Sequence, residues 1–227
     1  VYPAILQEAA VSHAPVVRAF EVRHVQLGRA LFAAIAAVMV TFSPDHSAAL
    51  GLSVFSGFAI ASGLVLLLGA WLAYPAGRRA LPIVLGLVSA VAGMIGGLPP
   101  LRSTEMFFVL VISWALLTGL IEGIAGWRSL RKAPRLSTAR TEARDGLTSG
   151  ALSVLLGLGT LAVPARYALD YYIAEAGQSF TLTGITIAVG LFGGYAAVVA
   201  VYLAIAAFSP RREPVGAAPA PTEDGRP

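Results

Sequence analysis

The chain has 227 residues, 57% of them hydrophobic and only 12% charged, with a mean hydropathy of +0.77, a balance that suits lipid rather than a water-facing surface. It contains no cysteine, which excludes disulfides, thiolate metal sites, iron–sulfur clusters and a cysteine nucleophile. The net charge of +4 is not a nucleic-acid footprint, because the basic residues are dispersed at the ends of apolar segments, where they orient helices in a bilayer.

Residues 1–27 mix apolar and charged positions, including Glu8, Arg18, Glu21 and Arg23, and are broken by Pro3 and Pro15. They lack the apolar core of a signal peptide, so the early helices are expected to act as their own insertion signals. This leading segment reads either as short pieces lying on the membrane surface or as disorder. Six segments then approach the roughly 20 apolar residues that cross a hydrocarbon core: 28–43, 48–74, 81–98, 106–127, 147–163 and 180–208. Backbone polar groups in lipid must be satisfied within each segment, so the expected fold is an all-α membrane protein. The tail 213–227, rich in Pro, Ala and charge, is expected to be disordered.

The placement of Lys and Arg sets the expected orientation. One side receives Arg18, Arg23 and Arg29, then Arg78 and Arg79, then Arg128, Arg131, Lys132, Arg135, Arg140 and Arg144, then Arg211, Arg212 and Arg226. The other receives Arg102 and Arg166. By the positive-inside rule both termini and the even-numbered loops are cytoplasmic. Lys132 is the one lysine among 16 basic residues; with the abundant Ala, Gly and Pro, this is the composition of a GC-rich bacterial genome, and the expected location is the bacterial inner membrane.

A shift of 56 residues superposes Pro44 on Pro100, Ala59 on Ala115, Gly63 on Gly119, Leu64 on Leu120 and Trp71 on Trp127. Pro164, Gly194 and Tyr202 repeat the pattern with a longer loop, which divides residues 28–212 into three hairpins, about 28–79, 80–132 and 146–212. Small residues four apart mark expected close contacts between helices, at Gly63, Gly93 and Gly97, Gly119 and Gly123, and Gly190 and Gly194. Trp71, Trp127 and Tyr202 are the expected interfacial anchors.

The stretch LGLVSAVAGMIGGLPP…FFVLVISWALLTGLIEGIAGWRSLRK has a glycine-rich first helix and a proline turn. Its second helix ends in Gly, apolar residues, Glu, a small residue, an aromatic and Arg. In these features it resembles a repeat of the HdeD-like family of small bacterial membrane proteins linked to acid resistance. The resemblance covers residues 28–212. It implies six helices in the inner membrane and a role in acid or envelope stress, and it brings no catalytic residues with it.

Glu122 is the one ionisable residue well inside a span as these boundaries are drawn. Six residues separate it from Arg128, about 9 Å along a helix, and Thr118, one turn earlier, is placed to hydrogen-bond with it. It reads either as a protonatable group for sensing or relaying protons or as a structural carboxylate between helices. The absence of acids at the corresponding Leu66 and Ala197 weighs against a relay.

His13, His24 and His46 lie outside the spans, and a polar turn accounts for Asp45 and His46, so no metal or cofactor is expected. The loop 164–179, with Tyr167, Tyr171 and Tyr172, suits the headgroup level or a docking surface. The basic loop 127–145 is expected to meet anionic lipids first and a partner second. Paired acids, zinc motifs, phosphate loops and nucleophile elbows are missing, so the expectation is a non-enzyme acting in stress tolerance or membrane-complex assembly, as a homo-oligomer or with membrane partners. A small transporter or channel using Glu122 and an accessory subunit of a larger complex are the alternatives.

Overall fold

The computed structural model describes residues 20–135, 137–175 and 177–209. The expected disordered tail and most of the leading segment lie outside these residues. The described residues form six α-helices: α1 (Val22–Phe42), α2 (Ala48–Leu72), α3 (Ala80–Gly97), α4 (Thr104–Lys132), α5 (Thr138–Leu161) and α6 (Gly184–Phe208). Five of them, all but α5, are long and apolar enough to cross a membrane. In α5 the first turns carry Arg140, Glu142, Arg144 and Asp145, and only 146–161 is continuously uncharged.

Local chemistry explains the helix boundaries. Ser47, Ser103, Ser137 and Thr183 cap α2, α4, α5 and α6, each side-chain oxygen accepting from a backbone N–H three residues on, which satisfies donors that a helix start leaves open. Glu21 and His24 form a reciprocal capping box at α1. In the turn before α2, Asp45 accepts from Ser47 N and Ser47 Oγ, both at 2.8 Å, the turn role expected of it.

Two expectations are corrected. The segment 127–145 is not an open loop: α4 runs to Lys132, α5 begins at Thr138, and only a short connection separates them. A charged stretch reads as loop when only hydropathy is weighed, but Ser137 caps it and its charges find partners on other helices. The segment 164–179 is not a bare loop. It opens an antiparallel hairpin, β1 (Ala168–Ile173) with β2 (Gln178–Thr183), in register Ala168↔Thr183 to Ile173↔Gln178. Its turn uses Gly177 at φ 62°, a conformation glycine adopts without steric cost. The pair Tyr171 and Phe180 stacks across the strands at 5.9 Å, and Gly184 N donates to Tyr167 O to seat the hairpin on α6.

The most extensive packing joins α4 to α5, α2 to α3 and α1 to α6, so it falls between the sequence hairpins rather than within them. Small residues are the reason. A methyl added at Gly150 would sit 2.5 Å from Gly123 N, one at Gly119 2.8 Å from Gly150 O, and one at Gly63 2.8 Å from Gly86 O. At Gly93 it would meet Ser56 O at 2.9 Å, and at Gly97 the Ser56 hydroxyl at 2.9 Å. On the α1–α6 pair the small buried residues are alanines instead, Ala30, Ala33 and Ala37 on α1 and Ala196 and Ala200 on α6. At Gly190 and Gly194 an added methyl meets nothing within 4 Å; the close approach expected there falls on Gly193, against Val40 at 2.6 Å. Gly123 is likewise open on its own Cβ side, although its backbone forms the wall against Gly150.

At the centre, α2, α4 and α6 meet through rings. Phe55 and Phe58 lie edge-on to both Trp114 and Phe192 at 5.3–5.8 Å, and Tyr195 meets Trp114 at 6.1 Å. Toward the ends of the helices that carry Pro44, Pro99 and Pro100, the core continues as Leu52, Phe107, Val111, Ala188 and Val189, each essentially inaccessible.

Candidate functional site

The other half of the bundle, toward the arginine-rich loops, is polar inside. Arg29 of α1 reaches across to Glu122 of α4, Nη1 to Oε1 at 3.1 Å, with 18% and 11% of the two side chains exposed. The second carboxylate oxygen accepts from Ser149 Oγ of α5 at 3.2 Å. A charge at this depth is costly unless paired and hydrogen-bonded, and here both conditions are met. Arg29, read from the sequence as one of the orienting charges before the first span, is the partner that makes Glu122 tolerable.

A set of polar ties surrounds the pair. Asp145 of α5 accepts from Gln26 Nε2 of α1 and from Tyr202 OH of α6, both at 3.2 Å. Arg78, after α2, bridges to Glu142 of α5 at 2.6 Å. Ser153 of α5 and Tyr195 of α6 are 2.9 Å apart, and Trp114 Nε1 of α4 donates to Ser89 Oγ of α3 at 3.1 Å. Each of these ties crosses between helices outside the three closely packed pairs.

Three cavities touch Arg29 and Glu122. One of about 130 Å³, open on the arginine-rich side, is lined by Gln26, Tyr74, Arg78, Ser129, Glu142 and Asp145 among others. A second, of about 320 Å³, lies beside it against α3, with Tyr74, Arg78, Leu81, Pro82 and Leu85 in its wall. The third, of about 20 Å³, lies deeper, between the ion pair and the aromatic cluster, and is lined by Ser62, Ser89, Thr118, Ser153 and Tyr195. The first two form a vestibule with the ion pair at its base. Tyr74, beyond the end of α2, is partly buried in its wall, and burial pushes its phenol above the ordinary value.

The expected site residues divide as follows. Thr118 lies beside Glu122 in the wall of the inner pocket, yet its hydroxyl donates to Trp114 O at 2.7 Å rather than to the carboxylate, the common back-bond of a helical threonine. Trp71 and Trp127 are 59% and 47% exposed, as interfacial rings are, and Arg131 stacks on Trp127 at 4.1 Å. Tyr202 is turned inward to Asp145 instead, because a polar partner lies within its reach. On α6 the residues facing the inner pocket are Tyr195, Val199 and Leu203, so Leu203, not Ala197, stands beside Leu66 and Glu122.

Gln26, Arg29, Ser62, Ser89, Asp145, Ser149 and Ser153 were not singled out by the sequence reading. A signal existed for Ser62, which precedes Thr118 by the same 56 residues that separate Leu66 from Glu122. Among the described residues no group of three His, Asp or Glu side chains gathers as a metal centre would.

Five apolar spanning helices around a buried ion pair make this a multi-pass helical membrane protein. Compared with known proteins, the chain matches no family model, and no curated protein or solved structure is significantly similar to it.

Proposed function

We propose that the chain is a non-enzymatic, six-span protein of the bacterial inner membrane, of HdeD-like type, acting in acid or envelope stress tolerance or in assembling a membrane complex. In this reading α5 is the sixth crossing, short because its first turns stand in the headgroup region beside α4. The three hairpins are repeats, and the vestibule with both termini faces the cytoplasm. Anionic lipids meet the arginine-rich rim.

The observation that carries the reading is the division of the interior. The polar vestibule stops at the aromatic cluster, whose Phe55 and Phe192 are closed to solvent, and beyond it Leu52, Phe107, Val111 and Val189 are closed to within 2% exposure. A transporter or channel using Glu122 needs polar groups from several helices on both sides of the bilayer midplane; here the buried charged side chains lie on one side of the cluster, and on the other the described residues bury isolated hydroxyls, Ser56, which donates to Gly93 O, and Thr160. For the first two hairpins the 56-residue repeat is supported by pairs lining the inner pocket, Phe58 with Trp114, Ser62 with Thr118 and Leu66 with Glu122, whereas the α6 residues of that wall, Tyr195, Val199 and Leu203, stand six positions off the register set by Gly194 and Tyr202.

The natural absence of cysteine gives a clean test. Single cysteines at His46 and Tyr172 are expected to react with a membrane-impermeant maleimide on spheroplasts, and those at Gly77 and Ala133 only after the membrane is opened. The opposite pattern overturns the orientation, and labelling of all four overturns the crossings. For the stress role, a strain lacking the gene is expected to lose survival in acid and to regain it with the wild-type chain; equal survival removes that role.

A further inference from the structure

We infer that the inner pocket is a bound-water site, and that it extends the vestibule into a hydrated half-channel running from the arginine-rich face past Arg29 and Glu122 to Ser62, where the aromatic cluster ends it. The inference rests on the proposed reading only for the side from which water enters.

Two independent observations meet at this point. Ser62 Oγ is buried, the residue being 5% exposed, and it has no hydrogen-bond partner among the described residues. A buried hydroxyl left so costs on the order of 1–3 kcal/mol, which a bound water relieves. Ser62 also lines a pocket of about 20 Å³, above the roughly 10–15 Å³ that one water needs. Thr160 Oγ1, the other buried hydroxyl in this state, is not part of that wall.

The remaining groups of the wall have the donors and acceptors that water uses. Ser89 Oγ accepts from Trp114 Nε1 and keeps its own hydrogen. Thr118 donates to Trp114 O and keeps its lone pairs. Ser153 donates to Ser149 O at 3.2 Å, so the hydrogen between Ser153 and Tyr195 comes from the tyrosine, whose oxygen remains an acceptor. Arg29 places one N–H on Glu122 and has further donors. A water needs two to four such partners. Both donors and acceptors are present, whereas the Arg29 guanidinium at the same pocket opposes a metal cation.

Directly above, Phe58, Trp114 and Tyr195 close the pocket. Below, Arg29 and Glu122 belong to the walls of both the inner pocket and the vestibule, so a water chain needs to pass only that pair.

Water-edited solid-state NMR of the full chain in liposomes, with carbon-labelled serine, tests this. Magnetisation from water is expected to reach the Ser62 Cβ nearly as fast as that of Ser129, which stands in the vestibule wall, and several-fold faster than that of Ser56. Ser56 is also buried but donates to Gly93 O at 2.7 Å. Ser62→Val, which fills the pocket, is expected to slow transfer to Ser89 and Ser153 and leave Ser129 unchanged. Transfer to Ser62 as slow as to Ser56, or to Ser89 and Ser153 unaffected by Ser62→Val, overturns the half-channel. Either result is separable from failure of the topology, which the maleimide pattern reports.

Discussion

Removing one member of the Arg29–Glu122 pair is expected to do far more harm than removing both. The contact is 3.1 Å long and the side chains are 18% and 11% exposed, so a single substitution strands a charge that is largely enclosed by protein. Breaking a buried pair in this way costs roughly 3–5 kcal/mol, and the vestibule, which lets water approach the survivor, places the value near the low end, about 3 kcal/mol. The two single variants are not equivalent. Arg29→Leu leaves a carboxyl group that keeps its Ser149 hydrogen bond. Glu122→Leu leaves a guanidinium that cannot be deprotonated, and is the more damaging. Arg29→Leu with Glu122→Leu restores an uncharged, space-filling contact and is expected to lie within about 1 kcal/mol of wild type. Glu122→Gln joins the damaging class because Arg29 loses its counter-charge. The assay is a double-mutant cycle by SDS-induced unfolding in mixed micelles. A double variant whose loss equals the sum of the single losses refutes the interaction.

Other expectations follow from the packing and the vestibule. Gly150→Leu, which forces side-chain atoms into the Gly123 backbone, is expected to lower stability by roughly 1–3 kcal/mol, whereas Gly194→Ala, with nothing within 4 Å, leaves the thermal midpoint unchanged or raises it; equal losses refute the assigned seams. Trp114→Phe removes the donor to Ser89 and shrinks the ring that makes three edge-on contacts, with Phe55, Phe58 and Tyr195, and is expected to cost on the order of 2 kcal/mol in the same unfolding assay. Tyr74 has a folded-state value raised above 10.0. Its phenol is neutral in both states below that pH, and above it the unfolded chain ionises first, so stability falls as pH climbs past 10. Tyr74→Phe is expected to lack that part of the alkaline loss, and identical alkaline profiles refute the burial.

Apolar length made five of the helices legible, and the small-residue spacing at Gly63, Gly93 and Gly119 located real contacts. What escaped depended on partners far away in sequence. Arg29 and Glu122 are 93 positions apart, and nothing in a single chain's periodicity couples them; each alone reads as a rim charge or an isolated carboxylate. The start of α5 was hidden for a similar reason, since its charges look like loop until Gln26, Arg78 and Tyr202 are seen to hold them. Its cap at Ser137 was legible and outweighed by hydropathy. In the external hairpin, the aromatic and hydroxyl-rich runs around Gly177 carried strand propensity that the headgroup reading of the tyrosines obscured. Gly190 and Gly194 show the converse: small-residue spacing marks a possible seam but does not say which face of the helix meets a neighbour.

The way the six helices are joined has a mechanical consequence. Along α4–α5 and α2–α3 backbone lies against backbone, and along α1–α6 Gly193 takes the Val40 side chain, so neither helix of a pair can slide without collision, and each pair behaves as a stiff stave. Between staves the fastenings are mainly side-chain bridges such as Arg29–Glu122, Gln26–Asp145 and Trp114–Ser89, which can be released and remade while every stave stays intact. A barrel assembled like this yields first along its polar joints, at the end where those bridges gather.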